Sequence, residues 1–269
     1  GRQVQRAFGH QQRLMPEGTL HLSALMCGAH RKDVIEQIKQ RLKDKREGRD
    51  NRPLRVVSTQ LVEAGVDIDF PVVYRALAGL DSIAQAAGRC NREGRLEGKG
   101  RVGVFVPPER PPLGDLRKGA DACISTLQGQ AHDPLARALF DRYFKEFYHS
   151  LDLDSHGIVA KLKVEPRTLA TQFRSAAEAF RLIDDKDQAT VVVRYAEKSD
   201  EVEKQLGKLA SEGPKRWLMR KLQRHTVSIQ KRVAEKMLEQ RSLQTSVVPG
   251  LYLQVETHGV YDKTLGLYI

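Results

Sequence analysis

Short apolar runs alternate with polar, helix-patterned stretches from the start of the chain to about Pro108. Four of these runs are predicted to be buried strands: Thr19–Met26, Leu54–Thr59, Val72–Leu77 and Arg101–Pro108. Between the first two runs, apolar side chains recur on one helical face until Gly48, a residue typical of a helix end. Buried strands that alternate with helices predict an α/β fold with a mostly parallel sheet. Ligands of such sheets bind in the loops at the carboxyl ends of the strands.

Prolines interrupt this pattern, with four in the eight residues Pro107–Gly114. We therefore divide the chain into a first domain at residues 1–110, a linker at 111–130 and a second domain at 131–269. The second domain is predicted to be mainly helical with a few strands. Beyond the proline stretch, helices are predicted at residues 115–128, 134–150, 166–183, 201–210, 214–225 and 231–240, and strands at 188–197, 250–256 and 265–269.

Charge and cysteine content narrow the classes of function. The chain of 269 residues carries 45 Lys and Arg against 34 Asp and Glu, a net charge of +11 that favours a polyanionic partner. Its three cysteines form no Cys-x-x-Cys pair, which argues against a zinc ribbon and fits a reducing cytoplasm. The sequence has no apolar run of membrane-spanning length and no signal-peptide pattern. It begins with Gly1 inside a helix-like pattern, and we expect it to be a piece of a longer protein.

Two hydroxyl side chains, Ser58 and Thr59, lie where the second predicted strand ends. A helix starting there would present free backbone N–H groups and hydroxyls to a phosphate. Gly65 allows a close backbone approach, and the carboxylate of Asp67 could accept hydrogen bonds from a ribose. A simpler interpretation is that Ser58 and Thr59 cap a helix. The loop alone leaves these two interpretations equally open.

Arginines follow an alanine-rich helix in the stretch DSIAQAAGRCNREGR, residues 81–95. Arg89 and Arg92 could converge on one phosphate, because guanidinium groups are permanently charged and bind phosphate oxygens in pairs. The alternative is a solvated basic turn, which most such clusters are.

These two loops carry a resemblance to a known family. The stretches STQLVEAGVDIDF and QAAGRCNREGR resemble motifs V and VI of superfamily 2 helicases, in their second RecA-like domain. Together with HLSALMCGAHRKDVIEQIKQRL, which resembles motif IV, they are similar to the CRISPR-associated helicase–nuclease of type I systems. The C-terminal stretches FRSAAEAFRLIDD and GPKRWLMRKLQRHTVSI look most like the subtype I-C branch.

The resemblance implies a role for each matching residue. Gln85, Arg89 and Arg92 are implied to act catalytically on the ATP phosphates. Gly65, Asp67 and Gly88 are implied to lie against the nucleotide. The residues implied to contact single-stranded DNA are Ser23, His30, Arg31, Ser58, Thr59 and Gln60. Ala86 departs from the family, where many relatives have arginine, and so do Ala24 and Gly28 around motif IV.

Other parts of the family are missing from the sequence. There is no Walker phosphate loop and no Asp-Glu-x-His box, so Mg²⁺ is expected to be held by the first RecA-like domain. No His-Asp nuclease cluster, and hence no nuclease metal, is seen. His132-Asp133 is interpreted as a helix start before Pro134. We expect no metal site in this chain and no catalysis by it alone.

The resemblance implies a prokaryotic, cytoplasmic motor with three partners: single-stranded DNA, an RNA-guided CRISPR surveillance complex, and the N-terminal half of the same protein. Its ATP-driven movement would act on the displaced strand of an R-loop. Two alternatives stay open. One is part of another superfamily 2 repair helicase, and the other is a non-enzymatic module that binds nucleic acid or protein.

Overall fold

The computed structural model describes residues 18–63, 65–128, 133–180, 187–195, 199–255 and 259–269. These residues form two compact units. One unit comprises the described residues within Gly1–Val66 and Asp184–Ile269, and the other those within Asp67–Ile183. The predicted boundaries at 110 and 131 do not coincide with this division, because the end of the chain packs with its beginning.

The first unit opens with a β-α-β segment. Strand β1 (Thr19–Leu22) pairs in parallel with β2 (Arg55–Ser58), and Leu22 lies opposite Ser58 at their carboxyl ends. Helix α1 (Gly28–Arg46) connects them, and Gly48 with φ of 71° follows its end as the sequence predicts. The predicted helix and both predicted strands are therefore confirmed here, with shorter strands.

A four-stranded sheet forms the rest of the first unit. Its strands run in the order β6-β5-β8-β7, and only the β5–β8 pair is parallel. The strands are β5 (Gln188–Val192), β6 (Thr226–Gln230), β7 (Leu243–Thr245) and β8 (Leu251–Gln254). The helices are α7 (Ser199–Glu212), α8 (Arg216–Leu222) and α9 (Lys231–Glu239), and the short strands β9 (Tyr261–Asp262) and β10 (Gly266–Leu267) pair near the end of the chain.

Two hydrophobic clusters flank this sheet because successive side chains of a strand point to opposite faces. Val191 and Val193 belong to a cluster that also contains Leu25 and Cys27. Val192 belongs to the other, which holds the buried faces of α7 and α8. The residues around the start of α1 are therefore part of the core of the C-terminal sheet.

The second unit repeats a parallel pair. Strand β3 (Val72–Ala76) pairs with β4 (Arg101–Phe105), and α2 (Leu80–Ala87) lies between them in sequence. The remaining helices are α3 (Asp115–Leu127), α4 (Arg137–His149), α5 (Ile158–Leu162) and α6 (Phe173–Ala179). Its core contains Leu80, Ile83, Cys123, Leu139 and Tyr143.

The structure confirms mixed α/β content but differs from the sequence prediction in detail. The four predicted strands of the first domain appear as two parallel pairs in the described residues, and β6, β7, β9 and α5 were not predicted. The helix predicted from residue 166 begins only at Phe173, because Leu169 adopts a φ of 51° in a preceding turn. His132 lies outside the described residues. None of the described helices is long and apolar enough to cross a membrane.

Candidate functional site

The loop after β2 places Ser58 and Thr59 at the carboxyl end of the first parallel pair. The Ser58 hydroxyl lies within hydrogen-bond distance of two carbonyl oxygens, that of Leu22 at 3.0 Å and that of Thr59 at 2.9 Å, and the Thr59 N–H donates to the Leu22 carbonyl at 3.1 Å. Thr59 precedes a short 3₁₀ turn, Gln60–Val62, but its hydroxyl makes no capping bond to the described backbone. The capping interpretation therefore has no support at Thr59, while Ser58 is engaged within the protein. Gln60 is exposed.

A groove beside this loop brings predicted residues of two motifs together. Its volume is about 450 Å³, and it runs between the first half of α1 and the end of the loop. Arg31 and Gly65 both line it, although 33 residues separate them in the sequence. The other lining residues are Gly28, Lys32, Ile35, Glu36, Lys39, Leu61 and Val66. The lining includes three cationic side chains, Arg31, Lys32 and Lys39, and one carboxylate, Glu36. This excess of positive charge favours an anionic polymer as the ligand.

Ser23 and His30 lie inside the protein in this structure. His30 is buried, its Nδ1 lies 2.9 Å from the hydroxyl of Tyr261, and its ring stacks on Tyr195 with centroids 4.3 Å apart. Burial lowers the pKa of His30, so the ring is neutral near pH 7. The buried Ser23 hydroxyl accepts a hydrogen bond from the N–H of Leu25. Of the three residues predicted in this segment, only Arg31 borders the groove, and the other two take packing roles.

The predicted arginines lie in a loop that follows α2, which we call the arginine loop (residues 88–95). The Asp69 carboxylate accepts hydrogen bonds from the N–H of Arg92 at 2.7 Å and of Glu93 at 3.4 Å. The backbone N–H of Phe70 donates a 3.0 Å hydrogen bond to the carbonyl of Arg89. Asn91 adopts a left-handed φ of 48°, and its side chain bonds Gly98 and Leu96. These bonds fix the backbone of the loop that carries Arg89 and Arg92.

Two of the side chains predicted to contact the nucleotide lie together in the second unit. The Arg92 guanidinium lies 3.4 Å from the carboxylate of Asp67, and both side chains are exposed. Gln85 and Gly88 are also exposed, while Arg89 is half-buried. An exposed guanidinium beside an exposed carboxylate suits a ligand with both a phosphate and hydroxyl groups, because one accepts and the other donates hydrogen bonds. These residues therefore fit one side of a nucleotide.

Sequence reasoning missed Asp69, Asn91 and Tyr261, which hold functional segments in place. Asn91 could have been found, because asparagine is the residue that most readily tolerates a left-handed turn after glycine. Asp69 lies two residues after Asp67 and carries no signal that separates their roles. Among the described residues there is no group of three or more His, Cys, Asp or Glu side chains that could hold a metal ion.

Comparison of the sequence with known families gives a match in this region. Residues 2–95 match the family described as CRISPR-associated nuclease/helicase Cas3, C-terminal. A curated relative of that name from Haloferax volcanii is 45% identical over 115 residues, which is 39% of this chain and 12% of the relative. Another, from Methanothermobacter thermautotrophicus, is 29% identical over 204 residues, 68% of this chain and 24% of the relative. The chain thus spans a minor part of these relatives.

Solved structures show a similar fold. The structure titled T. fusca Cas3-ATP covers 94% of this chain and 34% of its own, with a TM-score of 0.53 and 16% identity. A chain of the structure titled CRISPR RNA-guided surveillance complex, pre-nicking, covers 99% of this chain and 39% of its own, with a TM-score of 0.52 and 14% identity. At these identities the likeness concerns the fold alone. Residues 2–95 are thus similar to the Cas3-like C-terminal family, and the fold of the chain is similar to part of solved Cas3 structures.

Proposed function

We propose that this chain is the C-terminal part of an ATP-dependent, single-stranded-DNA translocase and nuclease that acts on R-loop DNA in CRISPR interference. The observation that carries the proposal is the arginine loop, where Asp69 fixes the backbone of Arg92 beside Asp67. Such a loop holds the guanidinium of Arg92 in a fixed position, while the sequence contains no Walker loop to bind the phosphates. That is what one half of a two-part nucleotide site requires.

In this proposal ATP bridges this chain and a first RecA-like domain, and this chain contributes the second RecA-like domain. Arg92 and Arg89 would bind the terminal phosphates and stabilise the charge that develops there during hydrolysis. Gln85 would orient the attacking water or a phosphate oxygen, and Asp67 would accept hydrogen bonds from the ribose. Gly88 would leave room for the phosphates. The Mg²⁺ ion would be held by the other domain.

Of the proposed DNA contacts, Arg31 lines the groove of the first unit, and Thr59 and Gln60 precede Leu61, which also lines it. The Arg31 guanidinium would bind a backbone phosphate, and Thr59 and Gln60 would bind another through hydroxyl, amide and backbone N–H groups. Phosphate contacts of this kind carry no sequence information, which suits a motor that moves along any strand. Ser58 would act by holding the loop to β1, since its hydroxyl is bonded to Leu22.

We further propose the partners that this function requires. They are the N-terminal half of the protein, with its Walker loop and nuclease metal site, and an RNA-guided surveillance complex that supplies the displaced strand. The relative solved in such a complex supports the second. A prokaryotic cytoplasm is the corresponding location, and subtype I-C is the branch that the C-terminal stretches favour.

The test is DNA-stimulated ATP hydrolysis by the full-length protein with Arg92→Ala. We expect a loss of about 10³-fold or more, which is typical of an arginine finger. Arg95→Ala is the matched control, because Arg95 is an exposed arginine of the same loop that pairs with Glu93. It should hydrolyse ATP at nearly the wild-type rate.

Two outcomes would contradict the proposal. If the folded Arg92→Ala protein hydrolysed ATP as fast as the wild type, Arg92 would be a surface residue. If the wild-type full-length protein bound DNA but hydrolysed no ATP, the chain would belong to a binding module instead.

A further inference from the structure

Trp217 lies on the surface of the first unit, far along the chain from the groove. It is the single tryptophan of the sequence, and 44% of it is exposed on helix α8. The neighbouring Leu218 and Leu222 are buried against α7, so α8 is anchored without the indole. The ring is therefore partly exposed to solvent, and we expect its removal to leave the leucine packing of α8 in place.

Two ammonium groups flank the indole. The Nζ atoms of Lys208 on α7 and Lys221 on α8 each lie 5.6 Å from the ring centroid. Cations at this distance are attracted to the electron-rich face of the ring. Because they come from two different helices, the arrangement depends on the fold and not only on the sequence of α8.

The surroundings of the ring are strongly basic. Residues 207–224 contain six Lys and Arg side chains and a single acidic one, Glu212, whose carboxylate is bound by Lys215 at 2.6 Å. All six basic residues are exposed: Lys208, Lys215, Arg216, Arg220, Lys221 and Arg224. Buried leucines occupy the opposite side of α8, so the charge and the indole share the solvent-facing surface.

We propose that Trp217 and these basic residues, the tryptophan platform, bind single-stranded nucleic acid by stacking one base on the indole. An exposed aromatic residue by itself is ordinary, but a nucleotide is the ligand that offers both a flat π face and a phosphate. Lys208 and Lys221 would neutralise the phosphates on either side of the stacked base. A duplex hides its base faces, so a single strand is preferred. The platform extends the proposed function with a second DNA contact, and it does not require ATP hydrolysis.

The single tryptophan makes a direct test possible. We would titrate the 269-residue chain with unlabelled oligothymidylate and follow the emission of Trp217, since a stacked base quenches indole fluorescence. The expected result is saturable quenching that weakens with added salt. A DNA duplex of equal length should quench less, and poly-glutamate, which offers charge without bases, should not quench. Quenching by poly-glutamate equal to that by oligothymidylate would overturn the proposal.

Substitutions separate stacking from charge. Trp217→Leu keeps an apolar side chain but removes the π face, and we expect binding of labelled oligothymidylate to weaken about 5- to 100-fold. Trp217→Phe should retain more of the affinity. Tyr268→Leu is the matched control, because Tyr268 is an aromatic residue of the same unit that is 47% exposed. The double substitution Lys208→Gln and Lys221→Gln should reduce the slope of log affinity against log salt concentration by the amount expected for the loss of about one or two phosphate contacts.

The platform and the proposed motor site can fail separately. If Trp217→Leu bound as tightly as the wild type and oligothymidylate caused no quenching, while Thr59→Ala and Arg31→Gln weakened binding, the platform would be excluded and the groove upheld. If oligothymidylate quenched the emission of Trp217 and Trp217→Leu weakened binding, while Arg92→Ala hydrolysed ATP at the wild-type rate, the platform would be supported and the motor assignment would be wrong. Absence of any binding to single strands at low salt would overturn the platform.

Discussion

The carboxylate of Asp69 accepts a 2.7 Å hydrogen bond from the backbone N–H of Arg92. This bond links the loop before β3 to the arginine loop after α2, and its two residues are 23 positions apart in the sequence. A second bond, to the N–H of Glu93, uses the other carboxylate oxygen. Asp69 therefore acts on Arg92 through the backbone and does not occupy its guanidinium, which lies beside Asp67.

The first prediction concerns this positioning role. Asp69→Ala in the full-length protein should lower DNA-stimulated ATP hydrolysis by about 10- to 100-fold, because a displacement of about 1 Å in a catalytic group costs that order of rate. Asp69→Asn should restore much of the activity, since its amide oxygen still accepts a bond from Arg92. The measurement is kcat and KM for ATP at saturating DNA.

Glu97→Ala is the control for a loss of negative charge near the same loop, and it should leave the rate unchanged. Hydrogen exchange of the chain should show faster exchange in residues 88–95 for Asp69→Ala and no change in α3 and α4. Equal rates for Asp69→Ala and the wild type would show that the loop holds its shape without this carboxylate.

The second prediction concerns the buried contact between the two ends of the chain. The Tyr261 hydroxyl accepts a 2.9 Å bond from the N–H of Cys27 and lies 2.9 Å from Nδ1 of His30. Burial raises the pKa of Tyr261, so the hydroxyl keeps its proton at ordinary pH. Tyr261→Phe should lower the free energy of unfolding of this unit by about 1–3 kcal/mol, because the buried N–H of Cys27 loses its partner.

Urea denaturation followed by the emission of Trp217 measures this loss, since the indole belongs to the same unit. Tyr268→Phe is the matched control, and its effect should stay within about 0.5 kcal/mol, as for most surface changes. A Tyr261→Phe protein as stable as the wild type would mean that water or a rearranged side chain replaces the hydroxyl.

Local patterns in the sequence predicted the parts of the fold that depend on neighbouring residues. The parallel pairs β1–β2 and β3–β4 follow from short apolar runs separated by helices, and Gly48 ends α1 where expected. Strand β6 was missed because it follows the helical turn Gln223–His225 directly, although Val227 and Ile229 alternate with exposed residues. The packing of Tyr261 against His30 joins residues 231 positions apart, which no local pattern specifies.

The roles of the candidate site residues stay predictions. The sequence indicated both loops, and in the structure Arg92 lies beside Asp67, a residue predicted for the same ligand, while Arg31 and Gly65, predicted for different ligands, line one groove. The DNA contacts of Ser23 and His30 were inferred from motif position, which carries no information on burial. In the structure both side chains are buried. Asp69 was missed because its carboxylate accepts hydrogen bonds from distant backbone N–H groups. Which carboxylate does so depends on the geometry of the loops, and a sequence does not show that geometry.

The third prediction concerns the pH dependence of stability. Burial, and next the neighbouring His30, lower the pKa of His21 to about 4 from an ordinary value near 6.5. The unfolded chain therefore binds a proton more readily than the folded one between these values. Stability of the first unit should rise as pH increases from about 4 to about 6.5, by up to about 3 kcal/mol from His21, and should be level above that range.

His21→Gln should flatten this rise, since glutamine does not titrate, while His156→Gln at an exposed position should leave it unchanged. Urea denaturation at pH 4.5, 5.5, 6.5 and 7.5 (roughly one-unit steps across the window that linkage defines) would measure the slope. A slope that stays the same in His21→Gln would assign the pH dependence to His30 or to carboxylates.

The fourth prediction concerns the close packing at the start of α2. The Tyr143 hydroxyl donates a 2.8 Å bond to the carboxylate of Asp81, and a Cβ atom on Gly79 would overlap both of these groups. Gly79→Ala should therefore destabilise the second unit by about 1–3 kcal/mol, as overpacking does. Gly98→Ala is the matched control, because no atom lies within 4 Å of the Cβ position at Gly98.

A double substitution shows whether the overlap is the cause. Tyr143→Phe alone loses one hydrogen bond and should cost about 1 kcal/mol. Combined with Gly79→Ala it removes one of the two groups that the new methyl would strike, so the pair should cost less than the two single changes together. Hydrogen exchange of residues 80–87 reports on this unit alone. If the two costs simply added, the loss in Gly79→Ala would come from the Asp81 side of the contact and not from Tyr143.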